Sequence, residues 1–176
     1  AVYSVTNANP NVAKAVVVDG TFRGTANYVY VTDSYIGTKN VNGEEVYTYP
    51  VVFEDGAAGT LSINRDNVVD GMAYEYTVDS NGVAAVQVTG LIRNGFVSTY
   101  AKGSNLSVRT GNGKPDTTVT SYTVLSNANL WNVEGEPYAE TLTNDMSMCF
   151  ITDSDGFVKT VFVNDTNATL TTNISA

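Results

Sequence analysis

Short runs of alternating hydrophobic and polar residues, separated by Asn-Gly and Asp-Gly pairs, extend along most of the chain. Alternation with a period of two is typical of a half-buried β-strand, and Asn-Gly and Asp-Gly supply the positive φ angles of tight hairpin turns. No stretch has a convincing helical period, and one turn at Asn64–Val69 is the best helical candidate. The predicted strands are Val16–Val18, Tyr28–Val31, Val46–Phe53, Thr60–Ile63, Ala73–Val78, Val83–Val88, Gly95–Tyr100, Ser104–Arg109, Val119–Leu125, Met146–Thr152 and Val158–Val163. This pattern predicts an all-β protein built from barrels or sandwiches.

One hairpin sequence occurs three times. Tyr74–Val88 and Met148–Val163 each place an Asp-Ser-Asn-Gly or Asp-Ser-Asp-Gly turn between two hydrophobic strands, and Tyr3–Val18 is a looser copy. A sequence that recurs at a fixed spacing indicates an array of modules. The copies divide the chain into the closing hairpin of a preceding module (1–18), module A (19–90), module B (91–165) and a polar tail (166–176).

We therefore expect two small barrel- or sandwich-like β modules in tandem, each closed by a similar β-hairpin. Outside these hairpins the two modules align poorly. Two like modules, and two unlike modules that share one ending, both remain open. Because an isolated hairpin is unstable in water, residues 3–18 are expected to pair with module A or to lie on it.

Composition favours a folded chain with few charges and disfavours two classes of partner. Hydrophobic residues make up 43% of the 176 residues, whereas charged residues make up only 15%, against a usual ~25%. The net charge is −9 and the basic residues are scattered. Binding to nucleic acid or to an anionic membrane is therefore not expected, because both need a cluster of basic residues. No run of 18 apolar residues is present and no signal peptide opens the chain, so we expect no membrane insertion and an export signal outside this sequence.

Few residue types in the chain suit catalysis or zinc binding. The sequence has no histidine and one cysteine, Cys149, so a zinc site, a thiol–imidazole nucleophile and an internal disulfide are not expected. The glutamates at 44–45 and 134–136 are expected on exposed turns, and a glycosidase pair across a cleft is the alternative. We predict no catalytic residues and no enzyme activity.

The Asp-Ser-Asn-Gly turn invites comparison with a calcium loop. If Gly82 held the sixth position of an EF-hand loop, the first and twelfth ligands would fall on Thr77 and Val88, which cannot complete the site. The turn interpretation is therefore preferred, and no metal and no cofactor are predicted. Calcium bound by surface carboxylates is the alternative, because three aspartates fall close together in the sequence: Asp66, Asp70 and Asp79.

Tyrosines form the unusual group of this sequence. Three pairs are spaced i, i+2, which places both members of a pair on one face of a strand: Tyr28/Tyr30, Tyr47/Tyr49 and Tyr74/Tyr76. One interpretation is an aromatic platform for sugar rings, formed by Tyr28, Tyr30, Tyr47 and Tyr49 with Trp131 as a further sugar contact. The other is that the rings form the core face of a small barrel, with their hydroxyls at its rim.

Several of these motifs resemble a known group of proteins. Asn42–Tyr49, the Gly-x-x-Tyr-x-Tyr strand Gly71–Tyr76, the Asp-Ser-Asn-Gly turn and the valine strand after it are similar to β-rich repeats of large Firmicutes cell-surface proteins that carry S-layer-homology domains. Module B, with Gly95–Val97 and Ser121–Val124, resembles the small barrel-like units of the same proteins.

The resemblance implies an exported, wall-associated bacterial protein whose modules space or display other parts. The expected function is therefore a non-enzymatic structural, display or adhesion module, outside the cell at the cell wall or cell surface. The alternative is a carbohydrate-binding module that uses the tyrosine pairs and Trp131. Cell-wall glycans, host glycans or other surface proteins are the expected partners.

Overall fold

The computed structural model describes residues 2–6, 13–18, 27–109, 118–138, 142 and 144–164, and within these ranges it contains β-strands and no helix. The strands are β1 (Val2–Thr6), β2 (Ala13–Val18), β3 (Asn27–Val31), β4 (Gly37–Val41), β5 (Glu44–Phe53), β6 (Ala58–Ile63), β7 (Met72–Val78), β8 (Ala84–Gln87), β9 (Ile92–Ala101), β10 (Asn105–Arg109), β11 (Val119–Asn132), β12 (Ser147–Thr152) and β13 (Val158–Val163). The predicted all-β class with two β modules is confirmed.

The helical candidate at Asn64–Val69 is wrong, because this stretch is a connection without helical hydrogen bonds. The N–H of Val69 instead donates to the hydroxyl of Tyr74 at 2.9 Å. The contact with Tyr74 of the next strand therefore fixes the conformation of this stretch, for which the sequence has only a weak helical pattern.

Module A forms a sheet that curls into a ring. Its strand order is β3-β7-β8-β6-β5-β4, and β3 also pairs with β5. The parallel contact between β6 and β8, which completes the ring, is one residue pair, Ile63 with Ala84. Strand β4 lies outside the ring, antiparallel to β5. Module A is therefore a five-stranded barrel with an added edge strand.

Module B is a closed barrel with the order β10-β11-β13-β12-β9. When β4 is set aside, both modules follow one path: first, second, third, fifth and fourth strand, and back to the first. In each module the third and fifth strands are parallel, and the other neighbours are antiparallel. The open alternative is thus resolved in favour of two modules with the same topology.

Each barrel has its own apolar core, because alternate residues of every strand point inward. The core of module A includes Val29, Val31, Tyr49, Val51, Leu61, Ile63 and Tyr74. The core of module B includes Val97, Leu106, Val108, Val124, Met148, Phe150, Val161 and Val163.

A third apolar cluster joins the modules, and we call it the junction. Module A contributes the outward residues of β3, β5 and β7: Tyr28, Tyr30, Val52 and Ala73. Module B contributes Ile92, Cys149, Ile151 and Phe162, and Trp131 and Val133 pack against the cluster. The outer wall of one barrel is thereby buried against the outer wall of the other.

The sequence predicts that the N-terminal hairpin either pairs with module A or lies on it. Strands β1 and β2 pair with each other in a two-stranded sheet of their own, so strand pairing with module A is wrong. The other arrangement depends on side-chain contacts of residues 3–18, and these contacts lie outside the described part of the structure.

Candidate functional site

The first tyrosine pair lies inside the junction. Tyr28 and Tyr30 share the face of β3 that is turned toward module B, and their side chains are 2% and 1% exposed. The ring of Tyr30 stacks on that of Phe162 with 5.0 Å between the centroids and an interplanar angle of 12°. Burial raises the pKa of both phenols. Neither ring has a face free for a sugar.

The second pair lies on the opposite face of the sheet. Tyr49 is 1% exposed and belongs to the core of module A, where Tyr74 and Tyr76 of the third pair also pack. Tyr47 is half-buried, and its hydroxyl donates to Oε2 of Glu45 at 2.9 Å. That hydrogen bond is the main reason why the pKa of Tyr47 is raised to about 12. The structure therefore places the tyrosines on two faces instead of one platform.

Trp131 lies at the edge of the junction and contacts both modules. Its indole Nε1 donates to the carbonyl oxygen of Glu54 at 3.0 Å. Its ring covers Gly56, where a Cβ atom would lie 2.8 Å from the ring carbons. With its donor used and its ring against the other module, Trp131 serves as a contact between the two modules.

Glu54 is a junction residue that sequence reasoning missed. Its Oε1 lies 2.7 Å from Nζ of Lys159 and accepts a hydrogen bond from the hydroxyl of Thr160 at 3.3 Å. The same ammonium group lies 4.5 Å from the centre of the Tyr28 ring. An acidic residue just before an Asp-Gly turn gives no sequence signal of such a role, because its partners come from the other module.

Tyr35 was also missed. It is 47% exposed, and Ile36 beside it is 67% exposed. The Tyr35 ring meets Tyr47 edge to face at 5.1 Å and Tyr49 at 6.0 Å. Two large apolar residues within a polar turn were the signal that could have identified this aromatic patch.

A groove of about 370 Å³ opens on module A between two turns, and we call it the turn groove. One wall is the β4–β5 turn, with the side chains of Asn42, Glu44 and Glu45. The opposite wall comes from the β7–β8 turn, with Asp79 and Asn81. Its volume falls within the range of ~300–1,000 Å³ that is usual for ligand sites.

A second cleft lies next to the turn groove on the closing hairpin of module A. This cleft of about 150 Å³ is lined by residues 75–77 of β7 and 85–87 of β8. The two clefts share Thr77 and Ala85 as lining residues, and we call them together the track.

The turn groove is lined by acidic residues, and some of their carboxylate oxygens already accept hydrogen bonds within the protein. Asp79 Oδ1 accepts hydrogen bonds from the backbone N–H groups of Asn81 at 2.9 Å and Val83 at 2.8 Å. These bonds, led by that from Val83, hold the pKa of Asp79 below its usual value. None of the described lining residues is Lys or Arg. The groove therefore offers carboxylates, amides and one hydroxyl.

Cys149 lies in the junction, and its Sγ accepts a hydrogen bond from the N–H of Ala73 at 3.3 Å. Burial raises the pKa of the thiol to about 12, which keeps it protonated and unreactive at neutral pH. In the described residues, no group of three or more acidic, His or Cys side chains is arranged to hold a metal ion. The same part of the chain has no helix long and apolar enough to cross a membrane.

The fold and these surfaces define the class: an all-β protein of two like five-stranded barrels that are packed together, with an added strand and groove on module A. Comparison of the chain with models of protein families, with curated proteins and with solved structures gives no match.

Proposed function

We propose that the chain is a non-enzymatic structural and display segment of an exported bacterial cell-surface protein, in which two like barrels keep a fixed spacing. The observation that carries this proposal is the junction. Its buried apolar cluster, the ion pair of Lys159 with Glu54 and the hydrogen bond from Trp131 all cross the boundary between the modules. Such contacts hold two modules in one orientation, whereas modules joined by a free linker move independently.

A surface location is supported by composition and by the sequence resemblance. Charged residues are 15% of the chain, and Thr, Ser, Asn and Gly take their place. The motifs that resemble wall-associated Firmicutes repeats are Asn42–Tyr49, Gly71–Tyr76 and the Asp-Ser-Asn-Gly turn with the valine strand after it. A spacer of this kind needs a stable shape and no reactive centre.

A fixed spacing is measured with spin labels. With Cys149→Ala as background, nitroxides at Thr38→Cys in β4 and Thr123→Cys in β11 should give one narrow distance distribution in a double electron–electron resonance experiment. Adding Trp131→Ala and Lys159→Ala should broaden it. A broad distribution for the chain with an intact junction would contradict the proposed rigid spacer.

A surface location is tested on the source bacterium itself. Antibodies raised against the folded chain should label intact, unpermeabilised cells. Labelling that requires permeabilisation, or a hydrolase activity on wall polysaccharide that one carboxylate substitution abolishes, would overturn the proposal.

A further inference from the structure

The two modules differ by one element that the barrel itself does not need. Module B closes with five strands, and module A repeats the same path but inserts β4 between its first and second strands. Strand β4 and its turn contribute Val41 and Asn42 to the turn groove. Since binding residues are often carried by additions to a rigid scaffold, the inserted strand directs attention to the groove that it completes.

The lining of the turn groove fits hydroxyl groups. Buried Val46 and Ala84 lie at its base, each 1% exposed. Above them, the amides of Asn42, Asn64 and Asn81 can both donate and accept hydrogen bonds, and the carboxylates of Glu44, Glu45 and Asp79 accept them. A ligand with many hydroxyl groups pairs with both kinds of side chain.

Aromatic residues lie beside the turn groove and in the second cleft. Glu45 lines the turn groove and accepts a hydrogen bond from the hydroxyl of Tyr47. The ring of Tyr47 contacts the exposed Tyr35. In the second cleft, Tyr76 is a half-buried lining residue whose ring also packs against Phe53. Such rings offer apolar surface with a polar tip, which suits ligands that are part apolar and part hydroxyl.

Charge and shape narrow the ligand class. With three carboxylates and no described Lys or Arg in its lining, the groove repels anions. The side chains of a cationic peptide offer donors and no acceptors, so they would leave the amide N–H groups of Asn42 and Asn64 unpaired. Because the two clefts share Thr77 and Ala85, an oligosaccharide can reach both.

We propose that the turn groove of module A, with the neighbouring cleft lined by β7 and β8, binds a neutral glycan. This function goes beyond spacing, and it uses a surface separate from the buried Tyr28 and Tyr30 and the partly buried Trp131. The module would thus combine a fixed position with a point of attachment.

The test is a titration of the whole, isotope-labelled chain followed by amide shifts in NMR spectra. The probes are the neutral hexasaccharides of glucose, xylose and N-acetylglucosamine, with hexagalacturonate and hexalysine for comparison. At least one neutral hexasaccharide should shift the amides of Thr77, Asn81 and Val83 at millimolar concentration. Hexagalacturonate should leave them in place.

Two variants locate the site. Thr77→Trp, which fills the middle of the track, should lower affinity at least about tenfold, and Asn64→Ala, which removes one amide, should lower it about three- to tenfold. Thr123→Trp and Asn129→Ala are the matched controls, because both residues are exposed on β11 of module B. These controls should bind as the parent does.

Four results would overturn the inference. They are the absence of shifts with every neutral hexasaccharide, shifts that lie outside the track, unchanged affinity in the folded Thr77→Trp or Asn64→Ala chain, and stronger binding of hexalysine that disappears with salt. The last result would identify the groove as a site for cationic peptide.

Discussion

At the scale of single residues, the junction depends on a glycine as well as on large side chains. Gly56 has a φ of +89°, and its missing side chain leaves room for the Trp131 ring. A side chain there would suffer both backbone strain and a steric clash with the ring. Gly82 has a φ of +76° in the β7–β8 turn, and a Cβ atom added there would have no neighbouring atom within 4 Å. A side chain at Gly82 would suffer the strain alone.

This difference predicts unequal effects of one substitution. Gly82→Ala should lower the free energy of unfolding by about 1 kcal/mol, and Gly56→Ala by about 2–4 kcal/mol, because the clash adds to the strain. Urea unfolding measures both values. Gly37→Ala is the control, because Gly37 has no positive φ and no atom near its Cβ position. Equal losses for Gly56→Ala and Gly82→Ala would show that the Trp131 ring does not press on Gly56.

Residue spacing predicted which tyrosines share a face but could not predict what covers that face. Tyr28 and Tyr30 do lie on one side of β3, as a period of two requires. Their burial follows from Phe162 and the rest of module B, which are distant in sequence. A rule about neighbouring residues contains no information about a contact between modules.

At the scale of elements, the two closing hairpins use the same turn. Asp79 Oδ1 accepts from the N–H groups of Asn81 and Val83, and Asp153 Oδ1 accepts from those of Asp155 and Phe157. A carboxylate that fixes the turn internally explains why Asp-Ser-Asn-Gly and Asp-Ser-Asp-Gly recur there. These hairpins could be predicted because all the residues that define them are local.

The Asp79 turn predicts a dependence of stability on pH. The pKa of Asp79 is lowered from 3.8, chiefly by the hydrogen bond from the Val83 N–H. A carboxylate whose pKa is lower in the folded state stabilises the fold above its unfolded pKa, and this contribution is lost as the pH falls through the folded pKa. Asn accepts the same hydrogen bonds without titrating. Between about pH 5 and pH 2, the parent should therefore lose more unfolding free energy than Asp79→Asn.

Chemical denaturation at a series of pH values measures this loss. Asp66→Asn is the control, because Asp66 lies in the connection between β6 and β7, outside the turn. An Asp79→Asn chain with the same pH profile as the parent would mean that the turn hydrogen bonds do not stabilise the fold.

Strand β4 shows where pattern reading fails at this scale. Its middle residues are Thr38, Lys39 and Asn40, all polar and exposed. An edge strand with no buried face has no alternation to detect, and it exists because β5 supplies its hydrogen bonds. The groove wall that it builds could not be predicted from the sequence for the same reason.

At the scale of the whole molecule, two barrels of one topology carry sequences that match mainly in their last hairpin. A barrel requires inward apolar residues and turns in the right order, and many sequences satisfy those requirements. The closing hairpin is more constrained in module B, where its strands face both a core and a neighbour. Phe150 and Val161 point into the barrel, while Cys149 and Phe162 point into the junction. The sequence therefore predicted two modules but not their identical strand order.

Because the junction is buried, we expect the two modules to unfold together. A substitution at Phe162 tests this expectation. In the parent, amide hydrogen exchange in β5 and β9 should report the same opening free energy, because the buried contact couples both barrels. Phe162→Ala removes the ring that stacks on Tyr30 and should destabilise the chain by about 3–5 kcal/mol. It should also make the opening free energies of β5 and β9 differ, because Tyr30 of module A then loses the ring that stacks on it.

Phe150→Ala is the matched control. It removes a ring of the same kind from a neighbouring strand, but from the core of module B. It should weaken module B to a similar extent and leave the two modules coupled through an intact junction. Two results together would show that the barrels are independent units. The first is that β5 and β9 already have different opening free energies in the parent. The second is that Phe162→Ala lowers hydrogen-exchange protection in β9 and leaves it unchanged in β5. A rigid spacer would then have no physical basis, because a junction that transmits no stability from one barrel to the other cannot hold them in one orientation.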